Sequence, residues 1–159
     1  MAVKEMYRNI VKVATAAAGA VGVPGAFSFG LDVTALSAIW ITMIISIADK
    51  SGHKVDKSFA GKLAAGLLAG VAAYIAGSKL AIGLLHLIPG AGTLAAIGVN
   101  SLLNALYTYK MGHALSNLFD KGGFDMSDVN WVAGNLMSVV LTVPTPSEIA
   151  DVISMIKES

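Results

Sequence analysis

The spacing of the charged side chains is the feature of this sequence that most constrains its fold. Five segments contain no Asp, Glu, Lys or Arg, and they cover residues 13–31, 33–48, 63–78, 80–109 and 129–147. A helix that crosses a membrane needs about 20 predominantly apolar residues. The segments therefore predict long apolar helices, and the abundance of Ala and Gly over aromatic residues favours close helix packing within a bilayer.

Proline residues divide these apolar segments into pairs of helices. The segment 80–109 is too long for one membrane-spanning helix, and Pro89 and Gly90 lie within it. Because proline breaks a helix and extends the residue before it, we expect helices at 63–88 and 93–118, joined by a tight turn.

The same pattern occurs on either side of this pair. Pro24 and Gly25 precede Asp32, a good N-cap for a helix from about residue 33 to 49. Pro144 separates an apolar helix from a short amphipathic helix that begins near Ser147. The sequence thus predicts a single all-α domain over residues 1–159. It is expected to be a bundle of apolar helical hairpins with Pro-Gly turns, at about 4–49, 57–119 and 128–157, embedded in a membrane.

Most of the charge lies at the bases of these hairpins. The linkers 49–57 and 120–128 are charged, and so is the N-terminal segment with Lys4, Arg8 and Lys12. Lys and Arg outnumber Asp and Glu in the N-terminal segment and the first linker, as is typical of the cytoplasmic side of a membrane. We expect the inner membrane, with both termini and the charged linkers on the cytoplasmic side.

Several classes of site are not expected. The chain has no Cys and a net charge of +1, so thiolate metal sites and a general attraction to nucleic acid are excluded. His53, His86 and His113 lack the spacing of metal ligands on one helix, and no catalytic motif is present. The sequence predicts no enzyme, no cofactor and no nucleic-acid partner.

A stripe of small residues is the first candidate for a functional surface. It consists of Gly66, Gly70, Ala73 and Gly77, which follow one another at helical spacing. In a bilayer such a stripe lets two helices approach closely. It predicts a helix-packing face, and its partner is either the chain's own hairpin or another subunit.

A set of polar residues within the apolar segments is the second candidate. Lys79 precedes the turn at Pro89, and Asn100, Asn104 and Tyr107 follow it at helical spacing. They could line a polar path through a membrane. Alternatively, Lys79 extends to an interface or pairs with Asp32, and the other three bond to a neighbouring helix.

Two stretches resemble a known group of proteins. They are Val23-Pro24-Gly25 with Gly30-Leu31-Asp32 and the helix after it, and Leu87-Ile88-Pro89-Gly90-Ala91-Gly92 with Ala95, Ala96 and Asn100. Over about residues 20–120 the chain resembles bacterial EcsC-like proteins and related uncharacterised inner-membrane proteins, some of which are fused to GTPase domains. The resemblance implies a helical, membrane-associated protein, and any GTPase would be a separate partner.

We therefore expect a non-enzymatic membrane protein that associates with copies of itself and scaffolds or remodels the bilayer. Its expected partners are membrane lipid, further copies of the chain, and a separate GTPase or other membrane-associated protein. One alternative is a soluble bundle with a concealed hydrophobic hairpin that inserts to form pores. A second alternative is a soluble bundle that binds lipid or a protein partner.

Overall fold

The fold consists of helices throughout the part of the chain that the structure describes. The computed structural model describes residues 5–21, 33–78, 98–123, 125 and 127–158. These residues form α1 (Glu5–Ala20), α2 (Val33–Lys50), α3 (Lys57–Ser78), α4 (Val99–Lys121), α5 (Val129–Val140) and α6 (Pro146–Glu158). They contain no strand, so the prediction of an all-α fold is confirmed. The turns at Pro24, Gly25, Pro89 and Gly90 and the extension of the third helix to residue 88 lie outside the described residues.

Acidic and hydroxyl side chains fix where three of the helices begin. Asp56 accepts a hydrogen bond from the backbone N–H of Phe59 at 2.7 Å and caps α3. Asp128 accepts one from the backbone N–H of Trp131 at 3.0 Å and caps α5. These carboxylates satisfy N–H groups that have no partner within the first turn of a helix.

The start of α6 carries a reciprocal cap. The backbone N–H of Thr145 donates to the Glu148 carboxylate at 3.2 Å, and the backbone N–H of Glu148 donates to the Thr145 hydroxyl at 3.2 Å. This is a capping box, and Pro146 takes the first helical position, where its missing N–H costs nothing. Pro144 is buried in the connection between α5 and α6, and α6 begins one residue earlier than expected.

The helices are arranged around α4. Helices α1, α2, α5 and α6 pack against α4, α1 also packs on α2 and α6, and α3 packs on α2 and α5. The outer helices therefore follow the order α6, α1, α2, α3, α5 around the central one. As a result every residue from 101 to 112 is buried.

The core between α2 and α4 is built from the face predicted for α2. Leu36, Trp40, Met43, Ile44 and Ile47 are buried, and Ile39 is half-buried. The core continues through Leu63, Leu67 and Leu68 of α3 and Leu103, Leu106 and Phe119 of α4. The helical spacing of apolar residues in α2 thus predicted its buried side correctly.

One glycine allows α1 to approach α4. A Cβ atom at Gly112 would lie 2.8 Å from both γ-carbons of Val11 and 3.3 Å from the sulfur of Met43. Such a distance to a branched side chain on a packed helix is too short for a real contact. Gly112 therefore sets the separation of these helices.

The charged linkers meet at one end of the bundle. The rings of His53 and Phe119 lie 5.7 Å apart, which brings the linker after α2 to the end of α4. The Tyr7 hydroxyl donates to the Asp120 carboxylate at 3.3 Å, which brings the beginning of α1 to the same end. Further along α1, Lys12 pairs with Glu158 of α6 at 2.8 Å.

Candidate functional site

Two kinds of site emerge from this fold: a set of polar side chains buried around α4 and an outer face without charge. The buried polar residues are Thr15, Ser101, Asn104, Thr108, Lys110 and Ser116. Burial of polar groups is costly unless they are hydrogen-bonded.

Thr108 links α4 to the core tryptophan. The indole N–H of Trp40 donates to the Thr108 hydroxyl oxygen at 2.8 Å, and this hydroxyl donates to the backbone carbonyl of Asn104 at 2.7 Å. Both polar groups are thereby satisfied in the interior. This bond fixes the position of α2 against α4.

Lys110 is the most deeply buried cation among the described residues. Its Nζ donates to the backbone carbonyl and to the hydroxyl oxygen of Thr142, both at 2.9 Å, and lies 3.5 Å from the Glu148 carboxylate. Burial lowers the pKa of Lys110, and the Glu148 carboxylate acts in the opposite direction. Lys110 therefore joins the central helix to the connection between α5 and α6.

Two tyrosines of α4 lie beside Lys110. The Tyr109 hydroxyl donates to the Asp151 carboxylate of α6 at 3.2 Å, and burial together with this carboxylate raises the pKa of Tyr109 to about 12. The Tyr109 ring lies 4.3 Å from the ring of His113. Tyr107 is fully buried, which raises its pKa, and its hydroxyl has no hydrogen-bond partner among the described residues.

Two residues of the predicted polar path lie within the described part of the chain. Asn104 and Tyr107 lie in the packed interior of the bundle. Lys79 and the side chain of Asn100 lie outside the described residues, so a path lined by all four stays a prediction. Lys110 was not predicted as a site residue. A signal was present, because Lys110 follows Leu103 and Leu106 at helical spacing and so shares their apolar face.

The described residues contain no group of three His, Asp or Glu side chains that could hold a metal ion. Each polar contact around Lys110 joins α4 to α5 or α6, or to the connection between them. These contacts account for how the bundle is held together.

The predicted small-residue stripe lies on the outside of α3. Gly66 and Ala73 are exposed, and a Cβ atom at Gly66 would meet nothing within 4 Å. Gly70 lies against the end of the Met137 side chain on α5. Gly77 lies in the last turn of α3. The stripe therefore contacts α5 at one point and is open on either side of it.

The outer side of α5 continues this surface. Trp131, Val139 and Val143 are exposed by 45%, 59% and 67%. The polar side chains between them bond to the helix itself, since the Asn135 amide donates to the Trp131 carbonyl and the Ser138 hydroxyl to the Asn135 carbonyl. Such bonds leave few polar groups that require water.

We call this surface the uncharged face. Its exposed members share the absence of charge and lie on two neighbouring helices; they are Ala65, Gly66, Ala69, Ala73 and Ala76 of α3, and Trp131, Gly134, Val139 and Val143 of α5 and the turn after it. No charged residue occurs in 63–78 or 129–147. On α1 and α6, by contrast, Arg8, Lys12, Asp151 and Lys157 are exposed.

One described helix has the length and composition to cross a membrane. It covers Lys57–Ala76 of α3, and 39% of its most apolar window is buried inside the protein. The expectation of several membrane-spanning hairpins therefore has support from one helix of the described residues. The other described helices are shorter, less apolar or both.

Comparison with known proteins gives one informative similarity. No family model and no solved structure matches the chain, so the resemblance to EcsC-like proteins stays a prediction. Over 92 residues the chain is 29% identical to "Magnetosome membrane protein 22" of Magnetospirillum gryphiswaldense, and the match covers 58% of this chain and 47% of that protein. The chain thus aligns with about half the length of a curated relative whose name describes a membrane protein.

Proposed function

We propose that this chain is a non-enzymatic helical membrane protein, which binds the bilayer through its uncharged face and associates with further copies of itself. The observation that carries the proposal is the position of this face on α3 and α5, away from the exposed charges of α1 and α6. By associating on the membrane the protein would scaffold or remodel the bilayer. We place it on the cytoplasmic side of the inner membrane.

The composition of the uncharged face supports contact with lipid. Its large exposed side chains, Trp131, Val139 and Val143, lie on one short helix and the turn that follows it. Asn135 and Ser138 lie between them, and each donates a hydrogen bond to the helix backbone. Large exposed apolar side chains on one side of a protein mark a protein or membrane contact. Trp131 lies in the first turn of α5, next to the charged linkers, and tryptophan is enriched at the boundary between apolar lipid and water.

The named relative supports the same class of function. Its name places it in the membrane of a magnetosome. Because the identity is 29% and the match covers about half of that protein, membrane association of this chain is our proposal and its biological setting is not transferred.

We propose that the bundle docks on the bilayer and does not cross it repeatedly. The central helix α4 carries Thr108, Lys110 and Ser116 inside a packed core, where the other helices cover them. This arrangement places the buried polar groups away from lipid. Insertion of α3, the one described helix that is both long and apolar enough to span, would give the pore-forming alternative.

A single carboxylate on the uncharged face should weaken membrane binding. We expect Ala69→Asp to reduce binding to liposomes about tenfold or more, because a carboxylate in the apolar part of a bilayer costs about 2.5–3.5 kcal/mol at the centre of a helix and less near its surface. Ala150 is exposed on α6, and Ala150→Asp is the matched control. Co-flotation of the purified proteins with liposomes measures the binding of both variants and of the wild type.

Three outcomes separate the alternatives. Equal binding by Ala69→Asp and the wild type would overturn the assignment of the uncharged face. Failure of the wild type to float would remove membrane association altogether. Release of a trapped dye by the wild type, together with resistance to alkaline carbonate, would favour insertion of α3 and pore formation over docking.

The stripe on α3 should mediate self-association. We expect Gly66→Leu to reduce the fraction of cross-linked dimers on liposomes severalfold, because leucine keeps two helices apart at a close crossing. The folded monomer should be unaffected, since the space beside Gly66 is open. The melting temperature should therefore not fall, and it should rise slightly because leucine has a higher helix propensity than glycine.

Gly70→Leu is the contrasting variant. Its side chain would displace Met137 and disturb the contact between α3 and α5, so it should lower the melting temperature. A dimer fraction in Gly66→Leu equal to that of the wild type would show that the stripe is not the contact between copies.

A further inference from the structure

A surface cleft lies where the uncharged face meets the charged end of the bundle. It has a volume of about 350 Å³, and its walls come from the linker after α2, the first turns of α3 and the start of α5. Phe59 and Val129 provide its apolar side, and its polar side consists of Lys54, Asp56, Ser58, Lys62 and Ser127. A cleft of this kind can hold a group with a charged head and an apolar tail.

The amines in this cleft are available to a ligand, whereas the carboxylates around it are engaged. Asp56 accepts the bond that caps α3, Asp128 the one that caps α5, and Asp125 accepts from the Ser127 backbone N–H and hydroxyl. Within the described part of the chain, Lys54 and Lys62 belong to no ion pair, and both are exposed. The lining therefore carries two ammonium groups and one carboxylate, a net charge of +1, and the carboxylate is already bonded to the backbone.

The location of the cleft indicates what binds there. Lys62 lies one turn before Gly66 on α3, so this wall of the cleft leads directly onto the uncharged face. Val129 is the first residue of α5, the second helix of that face. An anion held by the two amines would have apolar surface extending away from it along the helices. A small free anion would not contact that apolar surface, whereas the acyl chains of a phospholipid would pack against it.

We propose that this cleft binds the phosphate of an anionic phospholipid headgroup. Lys54 and Lys62 hold the headgroup, and the acyl chains lie along α3 and α5. The inference rests on the proposed docking of the uncharged face, and it adds the class of lipid and the end of the bundle that faces the headgroups.

The test compares vesicles of phosphatidylcholine alone with vesicles of phosphatidylcholine and phosphatidylglycerol in equal parts. We expect the wild type to bind the second kind more tightly. Replacing both cleft lysines, as Lys54→Gln with Lys62→Gln, should reduce this affinity about tenfold to thirtyfold, because each lysine near an anionic surface contributes about 1 kcal/mol. Binding to phosphatidylcholine alone should be unchanged in this variant.

The control removes two positive charges from the opposite side of the bundle. Lys12→Gln with Lys157→Gln changes the net charge equally, and both positions are exposed, on α1 beyond its charged end and on α6. We expect its affinity for anionic vesicles to stay within about a factor of two, since charges held away from the surface are screened. Inorganic phosphate added at constant ionic strength should not displace the protein from anionic vesicles.

The outcomes distinguish this inference from the proposed function. If the wild type binds neither kind of vesicle, docking of the uncharged face fails and the lipid site fails with it. If the wild type binds both kinds equally, or if the control loses as much affinity as the cleft variant, docking stands and the headgroup site is wrong. Displacement by inorganic phosphate would show that the cleft recognises free phosphate and not lipid.

Discussion

Replacing Trp40 with alanine is expected to lower the free energy of unfolding by about 3–5 kcal/mol. The side chain is fully buried between α2 and α4. Its loss would leave a cavity and remove the indole N–H that donates to Thr108 at 2.8 Å. Since small domains are stable by about 5–15 kcal/mol, the loss should be plain in a denaturant titration followed by circular dichroism.

The second tryptophan of the chain provides a matched control. Trp131 is 45% exposed, so Trp131→Ala should change the free energy of unfolding by about 1 kcal/mol or less. Trp40→Phe keeps most of the side-chain volume and removes the hydrogen bond. Its loss in the free energy of unfolding should lie between those of Trp40→Ala and Trp131→Ala. Equal losses for Trp40→Ala and Trp131→Ala would contradict the position of Trp40 in the core.

The sequence predicted the elements of this fold better than their arrangement. The spacing of apolar residues identified α2 and its buried side, because a helix buried on one side shows that side in its pattern. Pro144 indicated the break between α5 and α6, because proline has no backbone N–H and cannot continue a helix wherever it occurs. Features that depend on a few neighbouring residues can be recognised in this way.

The central position of α4 could not be recognised in the same way. A helix covered on all sides needs no polar face, so its pattern does not indicate which neighbours surround it. The contact of α4 with α1 joins residues about a hundred positions apart and depends on Gly112. This glycine belongs to no motif or spacing that would have indicated a helix contact. Packing of this kind is decided by shape across the bundle.

The candidate surface was predicted in part. The small residues of α3 were identified by spacing, but the same stripe suits the chain's own α5 and a second copy equally well. The structure distinguishes individual positions, since Gly70 contacts Met137 and Gly66 is open. The contribution of Trp131 and Val139 was not predicted, because it requires α5 to lie beside α3.

Lys110 carries the second large expected effect. Lys110→Ala should destabilise the bundle by about 3 kcal/mol, because it leaves a cavity and removes the cation from the Thr142 carbonyl and the Glu148 carboxylate. Lys110→Met should cost about 1 kcal/mol or less, since methionine fills the space of the stem and carries no charge to desolvate. Lys62→Ala, at an exposed position, should change stability by about 0.5 kcal/mol or less.

The pH dependence of these variants tests the environment of Lys110 directly. Burial holds the pKa of Lys110 below its usual value of 10.5, so between the lowered pKa and 10.5 the unfolded chain binds more protons than the folded one. Stability from this group therefore rises with pH in that window. The free energy of unfolding of the wild type should increase relative to that of Lys110→Met as the pH approaches 10.5. Tyr107 and Tyr109, with raised pKa values, act in the opposite direction above pH 10 but are common to both proteins. A difference that stays constant up to pH 10 would show that Lys110 is hydrated and not held in the interior.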